Sequence, residues 1–175
     1  MLNLAGFAND SITDGPGIRF TVFAQGCPHG CAGCHNPQTH AFGAGREWEE
    51  AAVAEKIVCN PLVRGVTFSG GEPFCQAEGF YRLAVLLKKR GYELAAYTGY
   101  TFEELLGLED AYVGSLLSQL DVLVDGRFVL SQRDLTLRFR GSANQRIINV
   151  PQSLTVRKCV LETSQRWTGE ERREK

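Results

Sequence analysis

Four times along this chain a short apolar run ends in a glycine-bearing loop: IRFTVFA before Gln25-Gly26, GVTF before Ser69-Gly70-Gly71, ELAAY before Thr98-Gly99, and DVLV before Asp125-Gly126. Their β-branched and aromatic content reads as strands over residues 18–24, 65–68, 93–97 and 121–124. The segments between them have helical spacing. Residues 47–59 carry Trp48, Ala51, Ala52, Ile57 and Val58 at roughly helical spacing, and the run stops before Asn60-Pro61. Residues 76–90 carry Phe80, Leu83, Ala84 and Leu87 on one stripe, with Lys88, Lys89 and Arg90 at the end where a helix dipole is negative. Thr101 and Glu104 match a capping box that opens a further helix, and another is expected over residues 111–119. Strands alternating with helices predict right-handed parallel β/α units around a buried sheet. Residues 135–139 and 146–150 are expected to be strand or extended.

In parallel β/α folds the working residues gather where the strands end. The cysteine loop, the Gly-Gly-Glu loop, and the loops at Thr98 and Asp125 are therefore expected on one rim. With 175 residues the chain has room for one domain with a proper core. That domain is placed at residues 1–155, followed by an extension over 156–175 whose end, EERREK, reads as a solvated tail.

A formal charge of −1 offers no electrostatic footprint for nucleic acid, so DNA and RNA are not expected partners. No run approaches the roughly 20 apolar residues of a membrane helix, and MLNLAGFANDSITDG lacks the regions of a secretory signal. A cytoplasmic, reducing setting is expected, where clustered thiols serve metals or catalysis more often than disulfides.

Cys27, Cys31 and Cys34 fall within eight residues, in QGCPHGCAGCHNP. A structural zinc would take four ligands, and His29, His35 or His40 can complete such a set. Zinc knuckles, however, come as separated pairs, whereas this is one tight triad. The alternative is a 4Fe-4S cluster, which ordinarily takes four cysteines, so that three leave one iron open. Cys59, Cys75 and Cys159 are read as buried apolar thiols rather than as a fourth ligand. His29 and His40 are read as surface loop residues.

The spacing C-x3-C-x2-C after a strand resembles the signature of the radical S-adenosylmethionine enzymes, and Gly70-Gly71-Glu72 resembles that family's Gly-Gly-Glu motif. Most of the family has an aromatic residue just before the last cysteine, where this chain has Gly33. Asp14-Gly15-Pro16-Gly17-Ile18-Arg19 and Cys34-His35-Asn36-Pro37 are similar to activators of glycyl-radical enzymes. Gly33, together with YTGY (97–100), DGRF (125–128) and RGSANQR (140–146), resembles the branch that acts on anaerobic ribonucleoside-triphosphate reductase.

That resemblance implies an α/β fold, a partial (open) parallel β/α barrel of the radical SAM type. Cys27, Cys31 and Cys34 would hold the 4Fe-4S cluster, and its open iron would chelate S-adenosylmethionine. Gly70, Gly71 and Glu72 would receive the methionyl group, with Glu72 offering an acceptor for its ammonium. Gly33, Cys34 and His35 would meet the adenine, and Thr98 the ribose or carboxylate. One electron would cleave the carbon–sulfur bond, and the resulting radical would take hydrogen from a glycine of the reductase. A flavodoxin-like donor fits the family as the source of that electron. An activator of another glycyl-radical enzyme, such as pyruvate formate-lyase, is the nearest alternative. DGRF and Arg138-Phe139-Arg140 are read either as docking elements for the target or as a turn and an exposed basic edge.

Overall fold

The computed structural model describes residues 1–169, so the tail expected at EERREK lies outside the described residues. Among the described residues seven strands form one open sheet, in the order β3-β1-β2-β4-β5-β6-β7. β2 (Arg19–Ala24), β4 (Gly65–Gly70), β5 (Glu93–Tyr97) and β6 (Val122–Asp125) run parallel at its centre. β1 (Leu2–Ser11), β3 (Arg46–Trp48) and β7 (Arg146–Asn149) pair antiparallel at the flanks. Each parallel pair is joined through at least one of the helices α1 (Glu50–Val58), α2 (Ala77–Lys88), α3 (Phe102–Gly107) and α4 (Ala111–Gln119). α5 (Val150–Val156) and the short α6 (Gln165–Thr168) follow β7. No helix among the described residues is long and apolar enough to cross a membrane.

The two faces of the sheet differ because side chains alternate along each strand. Phe20, Val22, Val66, Phe68, Leu94, Ala96, Leu123 and Ile148 face the helices, where Val53, Ile57, Phe80, Leu83, Leu87, Leu116 and Leu117 complete the main core. The opposite face carries the buried polar residues Arg19, Thr21 and Thr67, and beside them a small apolar cluster of Ala95, Val122, Val124 and Ile147 around Trp167. The Arg19 guanidinium is pulled down to about 10, chiefly by burial. It is held by Thr67 Oγ1 at 2.7 Å, Glu93 Oε1 at 2.8 Å and the Trp167 ring.

Several elements differ from the sequence expectation. The helix read from residue 47 begins at Glu50, because Arg46–Trp48 pairs with β1 as an edge strand and Trp48 packs edge-on against Phe7. β1 is a strand beyond those expected from sequence: Leu2 and Leu4 alternate with Asn3 and Ala5, and both leucines are buried. Residues 135–139 form turns, not a strand. Asp134 Oδ1 accepts from the Thr136 amide and hydroxyl, and this local turn chemistry overrides the apolar alternation. The thiols expected to be buried are not: Cys59 follows the end of α1 and is exposed, Cys75 is exposed in the turn after Glu72, and Cys159 is half-buried.

Beyond β7 the chain folds back to cover the sheet edge. The Asn149 amide donates to Val160 O at 2.9 Å and the Glu162 amide to Ile147 O at 2.8 Å. α6 then places Trp167 on the second face, edge-on to Phe139, and Arg166 pairs with Glu93.

Candidate active site

The loops leaving β2, β4, β5 and β6 meet over a cavity of about 520 Å³. Strand register determines this: β2 and β4 end together at Ala24 and Gly70, and the next residues of each chain turn toward the same space. The cysteine loop is closed at its base, where the amides of Gly26 and Cys27 donate to Thr39 O and His40 O at 2.8 and 3.1 Å. Gln25 Nε2 reinforces that base through Gln38 O and Ala41 O.

Cys27, Cys31 and Cys34 all line the cavity. Burial pushes the Cys27 thiol up; the backbone at His29 opposes this, while Glu72 and the other two sulfurs add to it. Bound iron would act the other way, since a coordinated sulfur is a thiolate. Among the described residues, no three His, Cys, Asp or Glu side chains converge as ligands of a single ion. Three thiols spaced around an open cavity suit a multi-iron cluster better than one zinc.

Gly70, Gly71, Thr98 and His35 also line the cavity, whereas Gly33 and Glu72 do not. Gly33 has φ +74°, a left-handed conformation, and a Cβ there would meet Leu130 Cδ1 at 2.9 Å. An aromatic residue at this position would be strained in its backbone and would have to displace the Leu130 side chain. His35 packs against Phe128, ring centroids 5.5 Å apart, and both rings line the cavity.

Glu72 is wholly buried and its carboxylate is fully engaged. Oε1 accepts from the Phe74 amide at 3.0 Å, Oε2 from the Gly99 amide at 2.8 Å, and the Thr98 hydroxyl lies 3.0 Å from both oxygens. His29 Nε2 completes the set, 2.8 Å from Oε2. The carboxylate offered from sequence as an ammonium acceptor therefore faces inward, while the Gly70-Gly71 backbone faces the cavity. His29, read as a surface residue, has a buried side chain, and His40 lines the cavity.

Asp125, in the DGRF segment, is a structural anchor. It accepts from the Phe102 amide at the start of α3 and from Arg146. Phe128, Phe139 and Arg140 line the cavity, which favours a role at the site for those three. Asp14 lines it as well, its carboxylate held by Thr21 Oγ1 at 2.9 Å. Its place is set by pairing of β1 with β2, a strand contact that local spacing does not announce.

A cavity edged by three thiols at the mouth of an open α/β sheet defines the class as an iron–sulfur protein, and residues 13–148 match the 4Fe-4S single cluster domain family. Over 142 residues the chain is 36% identical to the anaerobic ribonucleoside-triphosphate reductase-activating protein of Vibrio cholerae, covering 77% of this chain and 89% of that one. The proteins of the same name from Pasteurella multocida (35% identical, 86% of this chain, 99% of the relative) and Escherichia coli (33% identical, 77% and 90%) align comparably. The chain belongs to the family of anaerobic ribonucleoside-triphosphate reductase-activating proteins.

Proposed function

We propose that the chain activates an anaerobic ribonucleoside-triphosphate reductase by cleaving S-adenosylmethionine reductively at a 4Fe-4S cluster. The observation that carries this reading is the convergence of Cys27, Cys31 and Cys34 with the Gly70-Gly71 backbone around one cavity. Three protein thiolates leave one iron free for a non-protein ligand. In this reading the fold is a partial β/α barrel of the radical SAM type over residues 1–155, with 156–175 as an extension, and the protein works in the cytoplasm with a flavodoxin-like electron donor.

When bound, the cluster and S-adenosylmethionine would supply the redox chemistry, a one-electron cleavage of the cofactor's sulfur–carbon bond coupled to removal of a hydrogen atom from a reductase glycine, which would be left as a glycyl radical. This chain's residues place and shield those groups. Backbone of the β4 end, at Ser69 to Gly71, lines the cavity and would receive the methionyl ammonium, with Glu72 behind it. Backbone at Cys34 and His35 would meet the adenine, with the His35 and Phe128 rings as a wall of the cavity and Gly33, just outside it, shaping the turn. Thr98 borders the ribose or carboxylate through its backbone, because its hydroxyl is committed to Glu72. Ile12, which lines the cavity, and Leu130 and Leu135, on the segment that also brings Phe128 and Leu137 to it, are exposed and would meet the reductase segment.

Anaerobic reconstitution with iron and sulfide, followed by reduction, tests the reading. The expected result is cleavage of S-adenosylmethionine and, on mixing with the reductase, a glycyl radical seen by electron paramagnetic resonance. A colourless protein holding one zinc, or no radical with the reductase, overturns it.

A further inference from the structure

We infer that His29 is a positioning residue that ties the cysteine loop to the Gly-Gly-Glu loop through the Glu72 carboxylate, and so sets the distance between the cluster thiols and the cofactor-binding backbone. This rests on the functional reading above. His29 sits between Cys27 and Cys31, yet its side chain is only 4% exposed. Its Nε2 lies 2.8 Å from Glu72 Oε2 and its ring stands edge-on to Tyr100, centroids 4.6 Å apart. An ionised carboxylate only accepts, so against ionised Glu72 the Nε2 is the donor of the pair.

The room for the ring is made by Gly99, where a Cβ would come within 2.2 Å of His29 Cδ2. The same glycine gives its amide to Glu72. Loops from the ends of β2, β4 and β5 are thus gathered at one buried carboxylate directly behind the cavity wall. His29, Thr98 and Gly99 each also line that cavity, so the hub and the site share residues.

The base of the cysteine loop is joined to the Gly-Gly-Glu loop through backbone, the Glu72 amide donating to Gly26 O at 2.8 Å, but the middle of the loop depends on His29. Among the described residues, His29 is the one member of segment 28–33 with a side-chain hydrogen bond to another part of the fold. The remaining anchors lie at the loop base, at Gln25, Gly26 and Cys27, or are local, such as the Cys34 amide to Cys31 O at 3.2 Å. Without His29 the middle of the loop that carries Cys31 loses its side-chain tie to the rest of the fold, and Glu72 loses a charge-assisted partner.

Three proteins test this: wild type, His29→Ala and His29→Gln, whose amide nitrogen reaches the place of Nε2. Each is reconstituted anaerobically, and S-adenosylmethionine affinity is read from the change in the reduced cluster's electron paramagnetic resonance spectrum. Backbone hydrogen exchange is followed in the cluster-free proteins. The expected result is affinity weakened about tenfold in H29A, faster exchange over 28–33 in that variant, and both restored toward wild type in H29Q. H29A binding as tightly as wild type, or H29Q as impaired as H29A, overturns the positioning role while the functional reading stands. If reconstituted wild type itself fails to bind S-adenosylmethionine, the functional reading falls and this inference falls with it.

Discussion

Gly71 stands against Gly26 so closely that a Cβ on Gly71 would meet the Gly26 carbonyl oxygen at 2.4 Å. That oxygen accepts the Glu72 amide at 2.8 Å, so the cysteine loop and the Gly-Gly-Glu loop are joined backbone to backbone. A side chain at 71 must push the two loops apart.

Gly71→Ala is accordingly expected to destabilise the protein by about 1–3 kcal/mol, the usual range for overpacking a tight contact. Denaturant titration of the cluster-free protein measures this. The reconstituted variant should also lose S-adenosylmethionine binding, and wild-type stability together with wild-type binding would count against the close approach.

Trp167 is fully buried among Ala95, Val122, Val124 and Ile147, and touches both Phe139 and Arg19. Trp167→Ala should cost about 3–5 kcal/mol, as large aromatic truncations do. Its unfolding midpoint in urea should fall accordingly; an unchanged midpoint would show that the second face does not need residues beyond β7.

Arg146 bridges Asp125 and Glu103, and both raise its pKa, Asp125 foremost. In return the Arg146 hydrogen bond holds the Glu103 carboxyl below its ordinary 4.5. A depressed carboxylate stabilises the fold above its unfolded pKa, and that contribution disappears as pH falls through the folded value. Wild type should therefore lose more stability than Arg146→Ala between pH 7 and about pH 3. Equal losses in thermal melts across that range would contradict the bridge.

Cys75 is exposed as a residue, yet desolvation at its sulfur, with Glu72 and Cys27 adding, pushes the thiol up to about 11. Only the thiolate alkylates. In the cluster-free protein the rate at Cys75, followed by peptide mass spectrometry, should rise about tenfold per pH unit from pH 8 toward pH 11. A plateau near pH 9 would be inconsistent with that environment.

Features written in neighbouring residues are legible in the sequence. The Thr101–Glu104 capping box forms as read, with both reciprocal hydrogen bonds present, because its partners are three residues apart. The four central strands and the meeting of their loops follow from apolar runs that end in glycine. Residues 135–139 misled because alternation is a statement about burial, and Leu135 at 80% exposure has nothing to pack on. Cys59 and Cys75 misled for the related reason that thiols are usually apolar residues of the interior.

By itself the sequence determined the parallel β/α core, the triad of thiols and the glycine loop opposite them, since each depends on short-range periodicity or spacing. Tertiary structure alone decided that Glu72 turns inward to His29, 43 residues away, and that Trp167 reaches the far face of the sheet. These contacts join distant segments, and a buried carboxylate or indole has its partners set by which strands lie side by side, a relation that no local pattern of residues encodes.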